Sequence, residues 1–239
     1  MSEAKPSAAV ALAFFDSRHG RYGLTRSGAT LLFEGSSATV LEGGPEVERQ
    51  EGGWRASFEG RLELAFEALA GPVELGGVKA SLCRVAGNVE GTRIDCLGTA
   101  GETASPLAWD ELDAVRSVSA LFDEGHALLA LSRRPRGALG HGDELTVAWL
   151  IQEGEVLGVE DARISTVYDG EGRQRSAGLE LWLPGEDLPR RASGTVAAGS
   201  SLELEGLNVH AAVFRWRMEE REGLGAYELM VRHEPPAAA

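Results

Sequence analysis

The chain has 239 residues, is 43% hydrophobic and 25% charged, and carries a formal net charge of −14. That length fits one large all-β domain or two modest ones. The acidic balance disfavours nucleic acid and anionic membranes as partners, since both are polyanions, and no run approaches the roughly 18 apolar residues needed to span a bilayer.

The first half-dozen residues and the tail Pro235–Ala239 read as disordered. The opening is polar, and the apolar run Ala8–Phe15 is too short for a signal peptide and lacks a cleavage site, so a cytoplasmic protein is expected. Short strands follow at Leu31–Phe33 and Thr39–Leu41, split by Gly35-Ser36-Ser37. From Trp54 to Ala68 the chain alternates: Trp54, Ala56, Phe58, Leu62, Leu64, Phe66 and Ala68 fall on every second position, with Arg55, Ser57, Glu59, Arg61, Glu63 and Glu67 between them. Successive side chains of a strand point to opposite faces, so this ribbon has one dry and one wet face. Val78–Val85, Asn88–Glu90 and Arg93–Leu97 continue, punctuated by Gly87 and Gly91. The 31 glycines suit a fold of many tight turns.

One segment invites a helix. Ser105 caps and Pro106 fills the first turn, while Asp110, Glu111 and Asp113 place acids early in Leu107–Ala114. It lies between two blocks of strands, so a domain border is expected there, with residues 1–114 and 115–239 as the two domains. Beyond it, Val115–Phe122 and His126–Ser132 flank the hairpin turn Asp123-Glu124-Gly125. Leu145, Val147, Trp149 and Ile151 share a face, then Ala162, Ile164, Thr166 and Tyr168, then Leu179, Leu181 and Leu183. In Leu207–Met218 the apolar parity changes from Val209, Ala211 and Val213 to Phe214, Trp216 and Met218, which predicts a bulge near Ala212. About sixteen strands in two blocks predict an all-β protein of two antiparallel barrels or sandwiches with one short helix near mid-chain.

In order and spacing the second block resembles the double-lipocalin group that includes hydroxyneurosporene synthase, a carotenoid hydratase. The likeness rests on the strand pair Val85–Glu90 and Arg93–Leu97, Gly98-Thr99-Ala100-Gly101, the Trp109-containing joint, the Arg116 strand, Asp161–Asp169, Leu179–Leu183 and the closing Gly223-Leu224-Gly225-Ala226-Tyr227-Glu228. The group's joint carries a His-x-Trp-Gly-x-Arg-Asp string. Trp109 matches its tryptophan, whereas the histidine, the glycine and the Arg-Asp have no counterpart here. The resemblance therefore implies two lipocalin-like barrels able to hold an apolar ligand, more than it implies an activity.

No Gly-x-Ser-x-Gly elbow occurs, and Gly43-Gly44 and Gly76-Gly77 lack the lysine of a phosphate loop. The histidines His19, His126, His141, His210 and His233 lack metal-site spacing, so neither metal nor cofactor is expected. Cys83 and Cys96 read as buried thiols, and Arg133-Arg134-Pro135-Arg136 as a solvated turn. Trp54, Trp149 and Trp216 follow the apolar parity of their strands and read as core. Trp182 and Glu180 break the parity of theirs. An apolar pocket is expected near Trp109, Trp182 and Tyr168, with Glu180 and His210 as further lining candidates. Three functions fit: a binding protein for a hydrophobic small molecule such as an isoprenoid or lipid, a hydratase or cyclase using acid–base chemistry, and a structural protein with filled barrels.

Overall fold

The computed structural model of the protein describes residues 9–26, 28–103 and 107–232, with His141 described by its backbone. The expected loose ends, the Ser105-Pro106 cap and His233 lie outside the described residues. Period-two alternation and turn chemistry give two nine-stranded antiparallel sheets. The first holds β1 (Ala9–Asp16), β2 (Arg21–Arg26), β3 (Ala29–Glu34), β4 (Ser37–Glu42), β5 (Glu46–Gln50), β6 (Gly53–Phe58), β7 (Leu62–Glu74), β8 (Val78–Val89) and β9 (Thr92–Thr103). The second holds β10 (Leu112–Asp123), β11 (His126–Pro135), β12 (Leu145–Gln152), β13 (Glu155–Gly158), β14 (Asp161–Tyr168), β15 (Gln174–Trp182), β16 (Arg190–Leu204), β17 (Leu207–Met218) and β18 (Arg221–Arg232).

The two sheets share one topology. The first runs β4-β3-β2-β1-β9-β8-β7-β6-β5 and the second β13-β12-β11-β10-β18-β17-β16-β15-β14, so in each half the first strand pairs with the last. Both sheets curl into half-barrels. Four of the hairpins turn on a Glu-Gly pair with both residues at positive φ: Glu59-Gly60, Glu90-Gly91, Glu153-Gly154 and Glu205-Gly206. That backbone matches the right-handed twist of the flanking strands, and the glycine adopts it without a Cβ penalty.

Apolar side chains gather in three cores. One fills the first half-barrel and contains Trp54, Ala56, Phe58, Leu62, Leu64 and Phe66, so the dry face expected from Trp54 onward is buried. The ribbon is a hairpin of β6 and β7, and its last expected member, Ala68, lies outside the core beside a register shift. A second core fills the second half-barrel around Leu179, Leu181, Phe214, Trp216 and Tyr227. The third lies between the halves and draws Phe15, Tyr22, Leu31 and Phe33 from one, and Val115, Leu129, Ile151 and Val213 from the other.

This third core explains where the structure departs from the pattern. β17 pairs with β18 in unbroken register from Leu207 to Met218. Its parity switch is no bulge near Ala212: Val209, Ala211 and Val213 face the core between the halves, while Ala212, Phe214, Trp216 and Met218 face the half-barrel. The irregularity sits in the neighbouring β16, between Val196 and Ala198. β1 escapes the alternation test for the same reason, because Leu12 and Phe14 enter one core and Ala13 and Phe15 the other. β12 turns Ala148 and Leu150 into the half-barrel and Trp149 and Ile151 toward the first half, where the Trp149 indole donates to the carbonyl of Glu74 at 2.9 Å.

The expected mid-chain helix does not form. Residues 107–111 make a turn in which Trp109 N–H donates to Leu107 O at 2.9 Å and Glu111 N–H to Ala108 O at 3.0 Å. Beyond it, Leu112, Ala114 and Val115 are claimed by pairing with β11 and by burial, which outweigh a two-turn helix of marginal length. The one helical element among the described residues is the 3₁₀ turn His141–Asp143. No helix among them is long and apolar enough to cross a membrane.

Candidate functional site: a cleft between the half-barrels

A cleft of about 1170 Å³ opens between the two halves. Sheet register builds both walls. On the first half Tyr22 pairs with Phe15 and Phe15 with Leu97, forming a row of three apolar side chains. On the second half one cross-strand row runs Val167, Ser176, Thr195, Arg215, Leu224, with Leu121 beyond. Beside it runs a second row, Ser165, Gly178, Ser193, Arg217, Glu222. All these residues line the cleft. One end of the second wall is therefore rich in hydroxyls, and the other sets Leu224 and Leu121 beside the Arg217–Glu222 pair.

Each acidic side chain of the lining has its own partner. Asp95 accepts two N–H groups of Arg84 at 2.9 and 3.0 Å, and those bonds hold its carboxyl below the usual range. Glu222 pairs with Arg217. Asp16 is buried. It accepts from the backbone of Arg18 at 3.0 Å and lies 2.6 Å from His19 Nδ1. A carboxylate on Nδ1 fixes the tautomer with the proton there, leaving Nε2 as an acceptor. The second half repeats the device at the equivalent strand end, where Asp123 lies 2.7 Å from His126 Nδ1, but there Arg221 stands 3.2 Å from Nε2. Cys96 also lines the cleft. Burial pushes its thiol up to about 12, so it is no nucleophile at neutral pH.

The lumen of the second half is occupied by side chains, including a buried polar network. Arg116 reaches Glu144, the carbonyl of Ile164 at 3.2 Å and Thr166 Oγ1 at 3.3 Å. Glu144 also accepts from Ser132 at 2.7 Å and from Arg134 at 2.9 Å, and Thr166 and Tyr227 hydroxyls meet at 2.6 Å. Burial opposes the charge on Arg116, but Tyr227 and Glu144 outweigh it and its pKa rises. The arginine run expected as a solvated turn is instead the end of β11, with Arg134 held by Glu144 and Arg133 packed against Gly76 of the first half.

The five residues singled out in the sequence do not converge on one site: only Trp182 and Glu180 share a face. Trp109 packs against the core between the halves. Trp182 lies on the outward face of β15 with the Arg163 guanidinium 4.8 Å from its ring centroid, and Glu180 on the same face pairs with Arg191. Tyr168 is at the opposite end of β14 from Asp161, the partner of Trp182, seven residues or about 23 Å of strand away. Its neighbour Asp169 helps line a groove of about 400 Å³ with His210 and Arg173. There Ser201 Oγ lies 2.7 Å from His210 Nδ1, and burial, aided by Arg173, lowers the imidazole pKa below 6.5.

The cleft residues Phe15, Asp16, Arg18 and Arg215 escaped sequence reasoning. One signal for part of the site exists: Phe-Asp followed by histidine three residues on occurs twice, at Phe15-Asp16 with His19 and at Phe122-Asp123 with His126.

No family model matches the chain, and no curated protein is similar to it in sequence. Solved structures do match it. An AttH-type protein of Nitrosomonas europaea aligns over 93% of this chain and 91% of its own, with a TM-score of 0.59 at 14% identity. Kievitone hydratase from Nectria haematococca aligns over 95% and 90%, with a TM-score of 0.58 at 12% identity. CghA in complex with Sch210972 aligns over 96% and 90%, with a TM-score of 0.56 at 10% identity. The fold is thus the double-lipocalin type that the sequence resembles. At these identities the likeness is one of fold alone.

Proposed function

We propose that the protein binds a hydrophobic small molecule, an isoprenoid or lipid, in the cleft between its half-barrels. The observation that carries this reading is the cleft itself. Its volume of about 1170 Å³ exceeds the range typical of small-molecule sites, and its two walls present the apolar rows of Phe15 and Leu224. The lumens, by contrast, are filled with Trp54, Phe58 and Phe66 in one half and Phe214, Trp216 and the Arg116 network in the other. Two free thiols, Cys83 and Cys96, fit a reducing, cytoplasmic setting. The resemblance supports two domains with a border near residue 114.

Intrinsic tryptophan emission should respond to all-trans-retinol, because Trp216, whose ring is buried in the second half-barrel, sits on β17 directly behind the cleft wall. Ser193→Trp, which places a large ring on the exposed second row, should abolish saturable retinol binding without lowering the unfolding midpoint. Retinol binding unchanged by Ser193→Trp refutes the cleft as the site.

One observation favours a second reading, a hydratase on the same scaffold. Asp16, which lines the cleft, orients the imidazole of His19 three residues on, the arrangement of a general base that takes a proton from water. In that reading His19→Gln removes turnover of the bound compound and leaves its affinity intact.

A further inference from the structure

We propose that the cleft ligand is an anionic amphipath, with a carboxylate or similar head group held between Arg18 and Arg215 and an apolar body running over Leu224, Leu121 and Phe15. This rests on the reading of the cleft as the ligand site and names the chemistry of what enters it.

The chain has 37 acidic residues against 23 lysines and arginines, so cations are scarce and mostly engaged. Along the cleft the acids are each matched: Asp16 with His19, Asp95 with Arg84 and Glu222 with Arg217. Two lining arginines are left over. Neither Arg18 nor Arg215 has a carboxylate partner among the described residues, and they come from opposite halves, one from the turn after β1 and the other from the middle of β17. In a protein of net charge −14, leaving two guanidiniums unpaired on one cavity is informative. The lining sets three arginines, Arg18, Arg215 and Arg217, against three acids, Asp16, Asp95 and Glu222, so the cleft lacks the acidic excess of the chain as a whole.

The neighbours of Arg215 give the site a direction. In register it stands between Thr195 and Leu224, and Ser176 follows Thr195 in the same row. Hydroxyl donors therefore flank the guanidinium on one side, ready to complete the shell of an oxyanion. Apolar side chains flank it on the other and continue across to Phe15, Tyr22 and Leu97. A neutral hydrocarbon would leave the arginines and hydroxyls without partners, and a cation would be repelled.

Isothermal titration at pH 8 with decanoate and with decan-1-ol, which share one chain length and differ in head group, tests this. Parent, Arg18→Gln, Arg215→Gln and Ser193→Trp are compared. Decanoate should bind the parent about tenfold more tightly than decanol, the size of a charge-assisted contact. Each glutamine variant should lose about tenfold in decanoate affinity and none in decanol affinity, with an unchanged unfolding midpoint, and added NaCl should weaken decanoate alone. Equal binding of the two compounds, or glutamine variants that hold decanoate as the parent does, overturns the anionic head group. Ser193→Trp still blocking both ligands would then leave the cleft standing. If neither compound binds, or Ser193→Trp blocks neither, the cleft reading falls and takes the anion proposal with it.

Discussion

Glu144→Ala should be among the most damaging single substitutions in this chain. The side chains of Glu144 and Arg116 are each only 2% exposed, and Glu144 accepts from Arg116, Arg134 and Ser132. Removing the carboxylate leaves the Arg116 guanidinium buried without its countercharge. Its remaining partners are neutral: a carbonyl and two hydroxyls. Breaking a buried pair from one side costs about 3–5 kcal/mol. For a chain of this size each kcal/mol moves the melting temperature by about 2–4 °C, so a fall of about 6–20 °C is expected. Arg134 softens the loss little, because it is a quarter exposed and can turn to water. The companion variant Arg116→Met with Glu144→Met should recover most of the stability, since an apolar pair of similar volume removes both desolvation costs. Thr166 and Tyr227 would still bond each other at 2.6 Å. Thermal unfolding followed by near-ultraviolet circular dichroism measures both. A loss below about 1 kcal/mol for Glu144→Ala, the level of an exposed pair, would show that the network is hydrated, and a double variant no better than the single one would show that its charges stabilise the fold.

Other expectations follow from the same geometry. Phe58→Ala empties a site in the core of the first half and should cost about 3–5 kcal/mol; an unchanged midpoint would show the face to be exposed. With their thiols pushed up to about 12 by burial, Cys83 and Cys96 should resist iodoacetamide at pH 8 until the protein unfolds, and rapid labelling of the native chain would contradict that. His210 should titrate below 6.5 by nuclear magnetic resonance. Because the unfolded chain then binds more protons than the native one, stability should fall as pH drops through that window, and His210→Gln should remove this component. A native pKa at or above 6.5 would refute the burial of this imidazole.

Much of the architecture was legible in the sequence because most strands have one wet face. The Trp54–Phe66 ribbon and the Asp123-Glu124-Gly125 hairpin follow from alternation and turn chemistry alone. What was missed shares a cause. β1 and the middle of β17 are dry on both faces because the halves pack on each other, and alternation vanishes where two cores meet. β5 and β13 are short edge strands with mostly exposed residues, which carry little apolar signal. The mid-chain acids imitated a helix start, but Leu112 and Val115 had stronger claims in the sheet. The candidate site was less legible still. Val167, Ser176, Thr195, Arg215 and Leu224 become neighbours only once five strands are in register, and Phe15 and Arg18 reach them from the other half. Parity within a single strand, which singled out Trp182 and Glu180, reports which face a residue occupies and nothing about what stands opposite it.

The most direct test of ligand binding between the halves is methyl nuclear magnetic resonance of leucine-labelled protein during titration with decanoate. Saturable shifts at Leu97, Leu121 and Leu224 in the cleft, with Leu64 and Leu181 of the two filled lumens unmoved, are the expected result. Shifts at Leu64 or Leu181 with the three cleft leucines silent would place the ligand inside a half-barrel and contradict it.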